Sequence, residues 1–492
     1  MESLLEFNPD YKRLKNLIVY LSSQKGEEDW YDFKVNNADP DKIGEYVSAL
    51  SNAATLCGHN NGYLIWGVSD IEHELVGTTF LPSIAKKGNE ELENYLTHMS
   101  TPSLALTFYH LEVNGKSFVI LQIPKARIQP TKFKGVASVR IGSNNHLLSK
   151  YPEKEMKLWA TMASSTFETE FAKEELDEDE VFAYIDPNPY YSRKKIPVPS
   201  SKKETIDTFI KEHYLGLCDS GKLAITNLGA LLFAKDLYEF TFLSGKAIRV
   251  IRYQGKSRVN AISETEFHQG YALMFDEIVR FISATQSQHE EIRILRESKN
   301  ALPEIVIRET IANIMVHQDL LDRSFNPMVE LFEGILCASN PGKLLVDVAR
   351  VIDTVPVCRN EILSRSMRQL RMIEDRGSGF DRIEECLASH HFPAAKVVSD
   401  DFSTKIILSS KSDFAEFDEE ETLLTIYTYC CYGYINLSVS MNNAFFRERL
   451  GLKEKDAPSV SRLLTLAMSK HLIKLREDST GMRNRSYIPY WA

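Results

Sequence analysis

The sequence predicts a multidomain α/β chain with a mixed α+β first part, an α/β middle part and a helical C-terminal part that closes on a short hairpin. Three observations lead there. The 492 residues, at roughly 150 per domain, correspond to about three domains. Two acidic runs punctuate the chain: Glu168–Glu180 carries eight acids against Lys173, and a second run lies between Asp413 and Glu421. Such runs commonly form solvated linkers or helix faces. Helix and strand signals alternate before the second run, whereas helical signals dominate after it. The boundaries fall near 165–185 and 410–420, giving parts 1–165, 186–410 and 420–492.

In the first part, Asp39-Pro40 ahead of DKIGEYVSALSNAATLC reads as an N-cap, a proline in the first turn and a helix. Ile43, Val47, Leu50 and Ala54 fall on one side of it. GYLIWGV and FVILQIP are apolar runs of strand length. In the middle part, PEIVIRETIANIMVHQD (303–319) reads as a helix. In the last part, Ser459–Lys470 reads as a second helix after a turn, and LIKLREDSTGMRNRSYIPY as a hairpin.

Composition narrows the class. Apolar residues at 43% and charged residues at 26% suit a chain with a sizeable core and exclude wholesale disorder. A net charge of −10 excludes a uniformly basic nucleic-acid binder. The average hides local patches: Asn114–Tyr151 holds no acid and carries Lys116, Lys125, Arg127, Lys132, Lys134, Arg140 and Lys150, a net of +7. The seven cysteines are scattered with no CxxC spacing, which suggests neither a disulfide framework nor a zinc site. With no apolar run of membrane length and no leader-like N-terminus, the expected location is the cytoplasm, with no membrane partner.

Three acids lie where a metal-dependent nuclease could use them: Glu27 and Asp32 in EEDWYDFK, and Asp70 after GYLIWGVSD. Phosphodiester cleavage uses carboxylates to hold hard divalent cations, Mg²⁺ or Mn²⁺, that activate water and neutralise the leaving oxygen. Lys34 beside them could stabilise developing negative charge. The stretch 114–151 supplies phosphate attraction through Lys125, Arg127, Lys132, Lys134 and Arg140.

These pieces resemble the Schlafen-type, AlbA-like domain over residues 27–143. The matching segments are Glu27-x4-Asp32-Phe33-Lys34, SALSNAATLCGHNNGYLIWGVSD, the short ELVG and ASVRIGSNN. In the nuclease branch of that family an E-x4-E pair and a downstream Asp bind metal and cut RNA, chiefly tRNA. The resemblance places those roles on Glu27, Asp32 and Asp70. Asp32 departs from the family's usual Glu, and Asn61-Gly62 stands for its usual Gly-Gly. Many relatives lack a full triad and bind DNA only.

On the middle helix Glu309 and Asn313 are four residues apart and share a face. SNPGKL (339–344) is a turn signal. EDRGSGF (374–380) follows, where Gly377 and Gly379 could bring backbone amides close to phosphates. Together with ITNLGALLFAK (225–235) and CRNEIL (358–363), these resemble GHKL (Bergerat-fold) ATPases over roughly 200–400. The closer likeness is to the divergent ATP-binding domain that often follows a Schlafen-type domain. The resemblance implies a GHKL-type α/β sandwich that binds ATP. Glu309 would position the attacking water, Asn313 would hold Mg²⁺, and Gly377 and Gly379 would form the phosphate lid. Asn340 and Gly342 stand in the region where the family has its adenine-reading Asp.

The C-terminal FRERLGLKEKDAPSVSRLLTLAMSKHLIKLRED…RNRSYI reads as helix, turn, helix and β-wing, a winged helix-turn-helix. Arg447–Arg485 carries ten Lys or Arg and five acids, a net of +5. Arg483 and Arg485 are its candidate nucleic-acid contacts.

The favoured function is an ATP-regulated, metal-dependent nuclease acting on RNA or tRNA, with antiphage defence suggested by family analogy. The alternative is an ATP-binding, DNA-binding transcriptional regulator without nuclease activity. A nucleotide-dependent oligomeric scaffold is compatible with either, and both resembling families imply a homo-oligomer.

Overall fold

The computed structural model describes residues 9–24, 28–70, 73–164, 167–291, 301–352, 357–373, 379–435, 440–476 and 485–492. The chain forms two compact units, Met1–Val181 with Ile206–Thr226, and Phe182–Thr205 with Asn227–Ala492.

The first unit is built on α1 (Pro9–Ser22), β1 (Tyr31–Lys34), α2 (Pro40–Cys57), β2 (Asn61–Trp66), β3 (Thr107–Val113) and β4 (Lys116–Pro124). The sheet order is β1-β2-β4-β3. β1 and β2 are parallel, with Tyr31 opposite Tyr63 and Lys34 opposite Trp66. A parallel pair needs a long crossover, and α2 supplies it. Asp39 caps α2 by accepting from the Asp41 amide at 3.0 Å, Pro40 occupies its first turn, and Gly58 ends it at φ 83°.

Alternation along the strands sorts the two faces. Tyr31, Phe33, Tyr63, Ile65 and Ile120 pack against Leu14, Leu17, Ile18 and Leu21 of α1. Leu64, Trp66, Val119, Leu121 and Ile123 pack against Ile43, Val47 and Leu50 of α2.

The other side of α2 is polar yet buried. It faces a second sheet of β6 (Asn144–Leu147), β5 (Val136–Ile141), Lys132–Phe133 and Ser100–Thr101, in that order. Asn52 donates to the Thr131 and Ser138 carbonyls at 2.9 and 2.8 Å and accepts from the Thr131 amide at 2.8 Å. Ser48 donates to the Thr131 carbonyl at 2.7 Å and accepts from the Ser138 amide at 2.9 Å. Asn52→Ala removes a hydrogen bond from three interior backbone groups, of which the Thr131 carbonyl keeps Ser48. It is expected to lower stability by about 2 kcal/mol, read as a lower urea midpoint in tryptophan fluorescence; an unchanged midpoint would refute the stitching role.

One sequence expectation is corrected here. The acidic run Glu168–Glu180 is not a linker: its end, from Glu178, opens a short helix, and its middle is a strand. Phe171–Leu176 (β7) pairs antiparallel with Leu223–Thr226 (β9), which also pairs with Leu215–Leu217 (β8). The strand lies at the sheet edge, with Glu174 exposed and Glu175 half-buried. Residues 206–226 therefore belong with the first unit.

In the second unit, a six-stranded sheet has the order β11-β10-β12-β13-β15-β14. Its strands are β10 (Ile248–Tyr253), β11 (Ala261–Phe267), β12 (Met328–Phe332), β13 (Ile335–Pro341), β14 (Lys396–Ser399) and β15 (Ser403–Ser409). Only the β10–β12 pair is parallel. The crossover between those two strands runs through α3 (Tyr271–Glu291) and α4 (Glu304–His317), and α4 packs against α3, β13 and α5 (Gly379–Ser389). At the C-terminus, α6 (Glu419–Ile435), α7 (Asn443–Arg449), α8 (Ala457–Ser469) and the hairpin of β16 (Ile473–Leu475) and β17 (Tyr487–Pro489) share one apolar core. Ile426, Cys430, Phe446, Leu464, Ile473 and Tyr487 fill it.

Candidate functional site

Two polar clusters bring together seven of the residues singled out by the sequence. The first lies in the first unit. On β1, Asp32 and Lys34 point to the same face, and the segment after β2 brings Asp70 to them. Lys34 Nζ stands 2.6 Å from Asp32 Oδ2 and 3.5 Å from Asp70 Oδ2. Arg140 of β5 donates to Asp32 Oδ1. The Tyr46 ring of α2 lies 5.2 Å from the Lys34 ammonium and 5.9 Å from the Arg140 guanidinium, measured to the ring centroid. Burial lowers the Lys34 pKa, but the charge and hydrogen bond of Asp32, helped by Tyr46 and Asp70, outweigh it and raise the value overall. Burial raises the Tyr46 pKa, and the Asp32 charge adds to this.

Asp32 and Arg140 are buried, at 1% and 0% exposure. Arg140 therefore does not lie on the surface where the sequence reading placed it as a nucleic-acid contact. It is the interior counter-ion of Asp32. Its strand position was legible, but the inward face of β5 was not.

The metal expected from the acids can be tested on these contacts. Hard cations need carboxylate oxygens free to coordinate. Both oxygens of Asp32 are engaged by cations, and the Lys34 ammonium stands between Asp32 and Asp70. Among the described residues no three His, Cys, Asp or Glu side chains gather as a metal set. Glu27 lies outside the described residues. The residues in place do not fit a divalent ion.

The remaining basic candidates scatter. Lys125 donates to Asn60 at 2.8 Å, and burial lowers its pKa. Arg127 pairs with Glu170 at 2.6 Å, and Lys134 with Asp41 at 2.6 Å. Asp41 also holds Lys87, and the hydrogen bond from Lys134 leads those that keep its carboxyl far below the usual range. Lys132 and Arg485 are exposed, and Arg483 lies outside the described residues.

The second cluster lies in the second unit. Glu309 and Asn313 project from α4 toward the first residue of α5. A Cβ on Gly379 would sit 3.0 Å from Glu309 Oε2 and 3.7 Å from Asn313 Oδ1. Glycine there lets the start of α5 come close to the two polar groups. Arg382, one turn along α5, donates to Glu309 Oε1 at 3.1 Å. Gly377 lies outside the described residues. Asn340 is corrected: it is 4% exposed, and its amide donates to the Pro341 carbonyl at 3.0 Å, so it faces the interior rather than a ligand.

Gly342 has φ 103°, and a Cβ there would meet Asp319 Cβ at 2.9 Å. The sequence reading missed this neighbour. Asp319 accepts from Arg359 at 3.3 Å, and its carbonyl accepts from the buried Lys246 ammonium at 3.0 Å. Burial lowers the Lys246 pKa to about 8. Asn360 donates to the Val316 and Gln318 carbonyls, both at 2.8 Å, fixing the chain that leaves α4. The Asp two residues beyond His317 was the available signal.

Two family models match parts of the chain. Residues 27–149 match the family model described as "Schlafen, AlbA_2". Residues 325–408 match the model described as "Putative ATP-dependent DNA helicase recG C-terminal". No curated protein matches the chain. Among solved structures, the crystal structure of the DIP2311 protein from Corynebacterium diphtheriae matches at 12% identity and TM-score 0.37, covering 97% of this chain and 100% of that one. The solution NMR structure of the N-terminal domain of a "Putative ATP-dependent DNA Helicase RecG-related Protein" from Nitrosomonas europaea matches at 23% identity and TM-score 0.20, covering 27% of this chain and 90% of that one. The chain thus carries a Schlafen AlbA_2 domain in residues 27–149 and a recG C-terminal-type, ATPase-like domain in residues 325–408.

Proposed function

We propose that this chain is an ATP-dependent nucleic-acid-binding protein. One observation carries the reading: a Schlafen AlbA_2 domain and an ATPase-like domain occur in one chain; the first contains Asp32, Lys34, Asp70 and Arg140, and the second begins after Glu309 and Asn313 and contains Gly379 and Arg382. Burying charged groups is costly, so the gathering of Asp32, Lys34, Asp70 and Arg140 at one place supports a site rather than a surface. The exposed Lys132 offers attraction to phosphates.

In the second unit the close approach of the Gly379 backbone to Glu309 and Asn313 supports nucleotide binding in a GHKL-type arrangement. Asn313 would hold Mg²⁺, Glu309 would orient water, and the Gly379 backbone would lie against phosphate. A bound nucleotide supplies a triphosphate whose charge Arg382 and the metal would balance. The C-terminal helices and hairpin support a winged-helix module, with Arg485 beside β17 as its nucleic-acid contact.

A second reading, cleavage of the bound nucleic acid, is favoured by Asp32, Lys34 and Asp70 meeting at one point. Binding of labelled tRNA, single-stranded DNA and duplex DNA, measured by anisotropy with and without ATP, tests the first reading. At least one substrate should bind, with an affinity that ATP changes. No binding, or binding indifferent to ATP, sinks it. Asn313→Ala should weaken ATP binding by about tenfold, the loss of roughly one good ligand contact; equal affinity removes the role given to Asn313. Fragments that appear with the wild type and vanish with Asp70→Ala would establish the second reading.

A further inference from the structure

The carboxylates of the first unit already hold a cation, and it is a side chain. Lys34 Nζ bridges Asp32 Oδ2 at 2.6 Å and Asp70 Oδ2 at 3.5 Å. It also donates to its neighbour's carbonyl, Phe33 O, at 2.6 Å. Arg140, fully buried, takes the other oxygen of Asp32. An arginine does not give up its proton in a protein, so this pairing cannot be relieved by deprotonation. Two carboxylates face two fixed cations, and their charges cancel. A divalent ion entering between Asp32 and Asp70 would have to expel the Lys34 ammonium and still meet Arg140.

We propose that in this chain the Lys34 ammonium stands in place of a divalent cation, that nucleic acid is engaged without metal, and that a metal site is latent beneath Lys34. The nucleic-acid half rests on the reading above; the cation half does not. It stands on Asp32, Lys34, Asp70 and Arg140 alone. Asp70 is the accessible member, with its side chain 54% exposed against 15% for Lys34, so it is the one to vary without disturbing the interior.

The test is Mn²⁺ binding to the full chain, followed by electron paramagnetic resonance of the free ion. Wild type and Asp70→Asn should give the same isotherm. Lys34→Met should acquire one further site, at least tenfold tighter than any wild-type binding, which the Lys34→Met/Asp70→Asn double variant loses. Lys34→Arg, which keeps the cation, should match wild type. A wild-type Mn²⁺ site that Asp70→Asn abolishes overturns the proposal. So does a folded Lys34→Met with no new site. Should Lys34→Met not fold, the wild-type and Asp70→Asn isotherms still decide: identical curves support the proposal and divergent ones refute it. In parallel, tRNA binding should be the same within twofold in EDTA and in Mn²⁺; a requirement for Mn²⁺ overturns the metal-free half. Absence of tRNA and DNA binding under every condition sinks the nucleic-acid reading, while the Mn²⁺ isotherms still decide the cation.

Discussion

Arg140→Met is expected to destabilise the first unit by about 3 kcal/mol, the lower end of what breaking a buried ion pair costs. The estimate sits low because Asp32 keeps Lys34 as a second partner. Methionine fills a similar volume, so little of the loss comes from packing. The loss comes from Asp32, left in the interior with one of its two cations gone. The first unit holds Trp30, Trp66 and Trp159, so its unfolding can be followed by fluorescence in urea. With a slope of about 1–3 kcal/mol per molar urea, the midpoint should fall by at least about 1 M. The double variant Asp32→Asn/Arg140→Met should recover much of that loss, since it removes the stranded charge together with its partner. Equal midpoints for the single and double variants would show that the cost lies in shape and not in charge.

The Arg140 case also marks where the sequence stopped being legible. Helix α2 could be read from Asp39-Pro40 and its apolar spacing because both are local signals. The strands at 61–66 and 116–124 could be read as apolar runs. The acid-free stretch 114–151 was equally visible, but charge in a sequence carries no direction. Of its basic residues, Arg140 turns inward, Lys125 is half-buried on Asn60, and Arg127 and Lys134 find acids at Glu170 and Asp41. Those partners lie 43 to 108 residues away, so no window could reveal them. Lys34 was read as a catalytic aid. Its role as the bridge between Asp32 and Asp70 depends on the parallel pairing of β1 and β2, which places the two acids on neighbouring chains. Likewise Glu309 and Asn313 share a helix face by simple periodicity, whereas Asp319 against Gly342 is a tertiary contact. The run Glu168–Glu180 misled because a count of charges carries no strand pairing: Phe171–Leu176 takes the edge of a three-stranded sheet through partners at Leu223–Thr226, and Glu168 is 2% exposed.

Stability of the second unit is expected to fall as pH rises from about 4.5 toward 8, and Glu384 is the reason. It lies on α5 at 2% exposure. One carboxyl oxygen accepts from the Ala395 amide at 2.9 Å, while the other is buried with no hydrogen-bond partner among the described residues. Burial pushes its pKa up from the ordinary 4.5 to about 8; the Ala395 amide pulls it down and the Asp381 charge adds to the rise. The folded state therefore keeps a proton that the unfolded chain releases near pH 4.5. Between the two values the folded state binds more protons, so raising pH favours unfolding. At about 1.4 kcal/mol per tenfold change in proton activity, the window is worth about 3–5 kcal/mol. Glu384→Gln keeps the acceptor for Ala395 and removes the titration. Its melting temperature, followed through Trp491, the second unit's one tryptophan, should change little over this range and exceed that of wild type above pH 8. Parallel curves for the two proteins would rule Glu384 out. The consequence reaches the nucleotide cluster, because α5 begins at Gly379, against Glu309 and Asn313. Charging Glu384 strains the same helix that borders this cluster, so ATP affinity in the wild type should weaken through the upper part of that window, and in Glu384→Gln it should not.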